Sequence, residues 1–192
     1  MSSETRRRDY GDEAIPGAST IEEMLAQQPL LRFSTYTQLQ VDALRSLGNE
    51  IRPLLDSSFS EEGGMNGYSL GQIYSKTWFW VLGAFEVVRT LSTGRAKRCL
   101  SDRLHGQAEA FRRNIARLRI PMSKQELAGR ADVIGTDISF AHFNNRTRDI
   151  GFSVDSSAIW IRQMLNDFDE LVDSVTPEDV LCDLRDASRR EG

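Results

Sequence analysis

The amino-acid sequence predicts a mainly α protein: a single-domain helical bundle around a buried central helix, with one small β-hairpin between the third long helix and the C-terminal helices. Three observations carry this expectation. Tyr68 to Ser92 is apolar over most of a helical circumference. Single apolar stripes at helical spacing flank that stretch on both sides. Around Ile138–Val154 the period changes from helical to alternating.

Within the central stretch, Leu70, Ile73, Tyr74, Trp78, Leu82 and Phe85 form one stripe, and Trp80, Ala84, Val87 and Leu91 form a second beside it. A helix with two apolar sides belongs inside a bundle. Its third side carries Gln72, Lys76, Phe79, Gly83, Glu86 and Thr90. Gly83 costs roughly 1 kcal/mol of helix propensity relative to alanine, which points to close approach of another backbone. Glu86 and Arg89 are three apart and positioned for an ion pair inside an otherwise buried run.

The elements before it follow in order. Residues 1–18 read as a flexible tail, with Arg6, Arg7 and Arg8 and almost nothing apolar, so the domain spans 19–192. Thr20 and Glu23 have the form of a capping box, opening a short helix that ends before Pro29. From Ser34 a longer helix places Leu39, Ala43, Leu44, Leu47, Ile51 and Leu54 on one face, and Pro53 should kink or restart it. Ser57 to Gly67 is a loop by composition, either a connector or a lid.

After the central helix, Arg95 to Leu118 carries one inward stripe of Leu100, Leu104, Ala108, Phe111, Ile115 and Leu118, and Pro121 ends that helix. Met122 to Gly135 offers at most one helical turn, around Lys124 to Leu127, followed by loop. Two alternating runs around Asn144–Asp149 then read as a hairpin at about 137–155, which must lie on the helices or pair with another copy. Ser156 or Ser157 caps a helix with Ile161, Met164, Leu165, Phe168, Leu171 and Val172 inward. Thr176-Pro177-Glu178-Asp179 opens a last helix.

Bulk properties narrow the function classes. A protein of 192 residues can bury a core without disulfides or a structural metal. Cys99 and Cys182 show neither metal-ligand spacing nor a disulfide framework, so they read as unpaired thiols in a reducing cytoplasm. The longest apolar run, Thr77 to Val88, contains Glu86 and is too short for a membrane span, which needs about twenty residues. No phosphate loop, dinucleotide turn, zinc-protease pair or nucleophile elbow occurs, so neither cofactor nor metal is expected.

Net charge is −4 but unevenly spread. Gly94 to Arg119 holds eight basic side chains, Arg95, Arg103 and Arg112 among them, against Asp102 and Glu109. From Asp155 onward ten acids face four arginines. Two readings stand: the acidic segment neutralises the basic one, within one molecule or across a dimer, or the basic strip binds phosphates, with Arg95, Arg103 and Arg112 as contacts.

One constellation suggests chemistry. Arg98, Asp102, His105, Glu109 and Arg112 step by three or four and should line one helix face. A histidine near its working pKa can move a proton, and an arginine can hold a phosphodiester. Arg98 to His105, RCLSDRLH, with a helical bundle around it, resembles the HEPN superfamily, although Cys99 follows the arginine where that family often has Asn, Asp or His. The resemblance implies a metal-independent endoribonuclease or toxin-type protein, or an RNA-binding one, of a bacterial stress or phage-defence system. It implies Arg98 and His105 as catalytic residues, Glu86 and Asp102 in support, and a homodimer. The alternative is a non-catalytic helical homodimer acting as an interaction protein. RNA or a nucleotide is the other expected partner. Trp78, Phe79 and Trp80 read as core rather than a base-stacking platform, and His142 as a hairpin residue without a role.

Overall fold

A computed structural model describes residues 20–60, 64–124, 126–127, 130–134, 141–154 and 157–182. The N-terminal tail, residues 61–63 of the loop, and residues 138–140 of the alternating run lie outside them. The described part is mainly helical: α1 (Ile21–Gln27), α2 (Leu30–Phe33), α3 (Thr35–Ser58), α4 (Gly67–Leu91), α5 (Ala96–Cys99) and α6 (Asp102–Lys124) come first. Strands β1 (Glu126–Leu127), β2 (Arg130–Ile134), β3 (Ala141–Asn144), β4 (Asp149–Val154) and β5 (Ser157–Trp160) precede α7 (Ile161–Asp173) and a 3-10 turn, Pro177–Asp179.

The central helix is α4, which packs between α3 and α6. Asn66 caps it through Tyr68 N–H, at 2.9 Å. Its deeply buried face holds all of the second stripe, Trp80, Ala84, Val87 and Leu91, together with Thr77, Val81, Val88 and, from the first stripe, Ile73. Leu70, Trp78 and Phe85 are only partly buried, and Phe79 is 60% exposed. Trp80 anchors the bundle: its indole donates to the Leu44 carbonyl at 3.1 Å, and its ring meets Phe168 edge-on at 5.4 Å. Trp78 donates to the Met122 carbonyl of α6 at 3.0 Å. The Thr77 hydroxyl is buried and has no hydrogen-bond partner among the described residues.

Several details differ from the sequence expectation, each for a local reason. A Cβ on Gly83 would stand 2.9 Å from Leu44 Cδ2, so Gly83 makes room for a side chain of α3, not for a backbone. In α3 the inward face is Val41, Leu44, Gly48, Ile51 and Leu55, and Leu39 and Ala43 are exposed. The helix turns this way because Gly48, not a larger residue, lies beside both Trp80 and Leu165. Pro53 interrupts nothing: it is exposed, and the helix runs through it to Ser58. The 95–118 segment is two helices, since Leu100 is extended (φ −120°, ψ 153°) and separates α5 from α6. Nor does Pro121 end α6, which continues to Lys124. Instead of a turn and loop, Glu126–Leu127 and Arg130–Ile134 form an antiparallel ladder of β1 with β2.

The expected hairpin is present as β3 and β4, in register from Ala141↔Phe152 to Asn144↔Asp149, and β5 adds a third antiparallel strand. Asn144 Oδ1 accepts from the N–H groups of Arg146 and Thr147, and Arg148 takes positive φ (47°) to close the turn. Gly151 is required by its neighbour: a Cβ there would meet the Trp160 ring at 2.9 Å. Ser157 lies in β5 and caps no helix. The start of α7 is capped from a distance by Asp149, whose carboxylate accepts the Arg162 N–H at 3.2 Å and the Ile150 N–H at 2.8 Å. Burial raises the Asp149 carboxyl above its ordinary range, against the lowering effect of these bonds and of the Arg162 charge. Arg162 in turn donates to Asp56 at 2.6 Å, fixing the sheet to the end of α3.

The inward face of α7 is Ile161, Met164, Leu165, Phe168 and Leu171, as its spacing indicates. The final helix expected at 176 is a single 3-10 turn, after which Val180 pairs with Leu100 as an isolated bridge. No described helix is long and apolar enough to cross a membrane.

Candidate functional site

The α5–α6 junction collects most of the residues singled out from the sequence. Its geometry begins with the extended Leu100, which exposes a backbone edge to the segment that follows α7. Leu181 N–H donates to the Cys99 carbonyl at 2.8 Å, and Ser101 N–H donates to the Asp179 carbonyl at 2.9 Å. Cys99 and Cys182, 83 residues apart, are joined by a disulfide. This corrects their reading as unpaired thiols, and the cysteine argument for a reducing compartment loses its footing.

Asp179 is the electrostatic centre of this strap. It is 5% exposed and receives donors from three elements. Ser101 Oγ donates at 2.5 Å, Thr176 N–H at 3.0 Å and Thr176 Oγ1 at 3.1 Å. Arg103 binds it through both Nε and a terminal nitrogen, and reaches the Ser174 carbonyl at 2.7 Å. Burial opposes the charge, but the donors from Ser101, Arg103 and Thr176 outweigh it and hold the carboxyl at about 2. Ser101 also accepts from Leu104 N–H at 3.2 Å, capping the first turn of α6.

The residues named as catalytic do not share one helix face. Arg98 is exposed on α5, whereas Asp102 and His105 are on α6 beyond the extended junction. The His105 ring is half-buried and makes no hydrogen bond among the described residues. Glu86 belongs to another part of the surface, where it pairs with Arg89 at 2.6 Å with both side chains about half exposed. The pair forms at the expected spacing, but at the surface and not inside a buried run. Contacts of Trp78 with Met122 and of Arg119 with Phe85 show that α4 and α6 run antiparallel. By these two contacts Glu86 is about nine to thirteen residues, roughly 14–20 Å, along the axis from His105.

The cations divide into spent and free. Arg103 is held by Asp179, and Arg112 lies 3.7 Å from Glu109. Arg119 stacks over Phe85 at 4.9 Å, and Arg117 donates to Ser157 Oγ at 2.7 Å. Arg95, Lys97, Arg98 and Arg113 are exposed and have no ion-pair or hydrogen-bond partner for their side chains among the described residues. The acidic face of α7 does not neutralise them. Asp169 and Asp173 instead pair with Arg45 and Arg52 of α3, Arg52 at 2.6 Å from Asp169. Among the described residues, the expected compensation between the two segments is thus the pair of Asp179 and Arg103.

Elsewhere, His142 Nε2 shares a 2.6 Å hydrogen bond with Ser153 Oγ across β3 and β4. A shallow depression along Tyr68, Gln72 and Lys76 lies at the other end of α4, where Lys76 is held by Glu50 at 2.5 Å. No group of three metal-ligating side chains occurs among the described residues. Sequence reasoning missed the strap because its partners are 76 or more residues apart. The one signal present was that each cysteine had no other possible mate in the sequence.

With this geometry the fold is a helical bundle carrying a small antiparallel sheet, and the site is a basic junction strapped by the C-terminal segment. Comparison of the sequence and structure with family models, with curated proteins and with solved structures gives no match.

Proposed function

We propose that this protein binds RNA through the α5–α6 junction and does not cleave it. The observation that carries the reading is the set of four exposed cations, Arg95, Lys97, Arg98 and Arg113, that have no side-chain partner among the described residues, in a molecule whose α7 carboxylates Asp169 and Asp173 are committed to α3. Unpaired cations along a helix attract the phosphate backbone and release its counterions on contact. Cleavage by Arg98 and His105 finds no support in a carboxylate from α4, since Glu86 is roughly 14–20 Å away along the helix. The resemblance of RCLSDRLH to HEPN proteins fits an RNA-directed role in stress or phage defence.

Fluorescence anisotropy with a labelled single-stranded RNA of about twenty nucleotides tests this. Three to four phosphate contacts weaken binding about 20- to 50-fold between about 50 and 200 mM salt. Arg98→Ala and Arg113→Ala should each flatten the salt slope by about 0.7. The RNA should stay intact with wild type and with His105→Ala. Absence of binding at low salt, or binding indifferent to salt, overturns the proposal; His105-dependent cleavage overturns its non-catalytic part.

A second reading, compatible with the first, is a homodimer. Tyr36, Leu39 and Phe79 are 76%, 59% and 60% exposed on α3 and α4, apolar surface that a second copy would cover. Light scattering should give twice the 21.7 kDa mass of one copy. A monomer at tens of micromolar removes this reading.

A further inference from the structure

We infer that the Cys99–Cys182 disulfide is a thiol-gated latch that keeps Asp179 on Arg103, and that its reduction adds Arg103 to the RNA-binding surface. The inference rests on the proposed RNA binding. Three observations converge. The strap carries the carboxylate that withdraws a cation of this junction, and Arg103 is half exposed behind it. Both cysteines are only partly buried, so a dithiol reductant can reach the bond. Lys97 and Arg98 immediately precede Cys99 in α5, so two cations adjoin this sulfur in the sequence.

The chemistry is an ordinary exchange. A thiolate of a dithiol reductant attacks Cys182 Sγ, a mixed disulfide forms, and the Cys99–Cys182 bond breaks with Cys99 leaving as the thiolate. The second thiol of the reductant resolves the mixed disulfide and is itself oxidised. Two electrons pass to the protein, and two protons from the reductant thiols end on Cys99 and Cys182. The domain outlasts this step because the buried core from α3, α4, α6 and α7 does not include the bond. Once it is open, the strap's remaining holds among the described residues are the buried Val180 side chain, two backbone hydrogen bonds and the Asp179 cluster. A phosphate then competes with the Asp179 carboxylate for Arg103.

The experiment compares oxidised wild type, dithiothreitol-reduced wild type, Cys182→Ser and oxidised Asp179→Asn. Amide exchange at Ser101 and Leu181 should rise by at least about tenfold on reduction, with α4 unchanged. The RNA salt slope should steepen by about 0.7 in the reduced protein and in Cys182→Ser, with binding about fivefold tighter at low salt. Asp179→Asn should give the steeper slope while still oxidised, because it frees Arg103 with the bond intact. Unchanged exchange on reduction refutes the latch. Faster exchange with an unchanged slope refutes the gating while leaving RNA binding in place. If no form binds RNA, the proposed function fails and this inference falls with it. Two free thiols in the protein purified without reductant overturn the inference at the start.

Discussion

Replacing Asp179 with asparagine removes one charge while keeping an acceptor oxygen, which makes it a sharp probe of the strap. The carboxyl titrates at about 2 in the folded protein against an ordinary 3.8. That difference corresponds to at most about 2.4 kcal/mol. Arg103 is 47% exposed, so water screens part of the interaction, and on the order of 1–2 kcal/mol remains. Because the folded pKa is depressed, this stability is present above the unfolded value and is lost as pH falls through about 4 toward 2. Urea unfolding followed by circular dichroism, with the disulfide intact, should find Asp179→Asn less stable than wild type by about 1–2 kcal/mol near pH 7, about 2–8 °C in Tm. The gap between the two proteins should narrow below about pH 4 and close below about pH 2. A gap that is constant across this range would show that the charge on Asp179 contributes nothing, and would refute the reasoning.

Other substitutions test other parts of the fold. Thr77→Val replaces a buried hydroxyl that has no partner with a methyl of the same shape, and should raise unfolding stability by about 1 kcal/mol. Trp80→Phe deletes the indole bond to the Leu44 carbonyl along with ring volume and should cost about 1–3 kcal/mol in urea titration. Gly151→Val forces a side chain into the Trp160 ring and should cost about 1–3 kcal/mol, read from the thermal midpoint. Asp149→Ala strands the Arg162 and Ile150 N–H groups and should cost about 1–3 kcal/mol. Since burial already pushes the Asp149 carboxyl up, Asp149→Asn should cost less than Asp149→Ala in the same assay.

How far the fold was legible depended on how local its causes are. The inward faces of α6 and α7 follow directly from leucine, isoleucine and phenylalanine at helical spacing, because nothing else competes for those positions. The α3 face differs from its hydropathy pattern because it buries Thr37, Gln38, Gly48 and Ser58 while leaving Leu39 exposed. Gly48 there fits beside Trp80 and Leu165, a tertiary demand that hydropathy does not record. The α5–α6 break hid inside an unbroken apolar stripe, since Leu100 is buried whether it belongs to a helix or to the bridge with Val180. Strand β5 looked like a helix cap because it opens with a serine and runs for four residues into α7.

The site was legible only as composition. Its basic residues were visible, but which of them are spent was not. That depends on Asp179 reaching Arg103, and on Asp169 and Asp173 turning toward α3. A shared catalytic face needs one continuous helix from Arg98 to His105, and the extended Leu100 breaks it.

The most direct test of the account is amide chemical-shift mapping of the oxidised protein during titration with single-stranded RNA. Perturbations confined to residues 95–113, strongest around Arg98 and Arg113 and reversed by added salt, are the predicted result. Perturbations centred on the α3–α7 face of Arg45, Arg52, Asp169 and Asp173, or none at all, would contradict it.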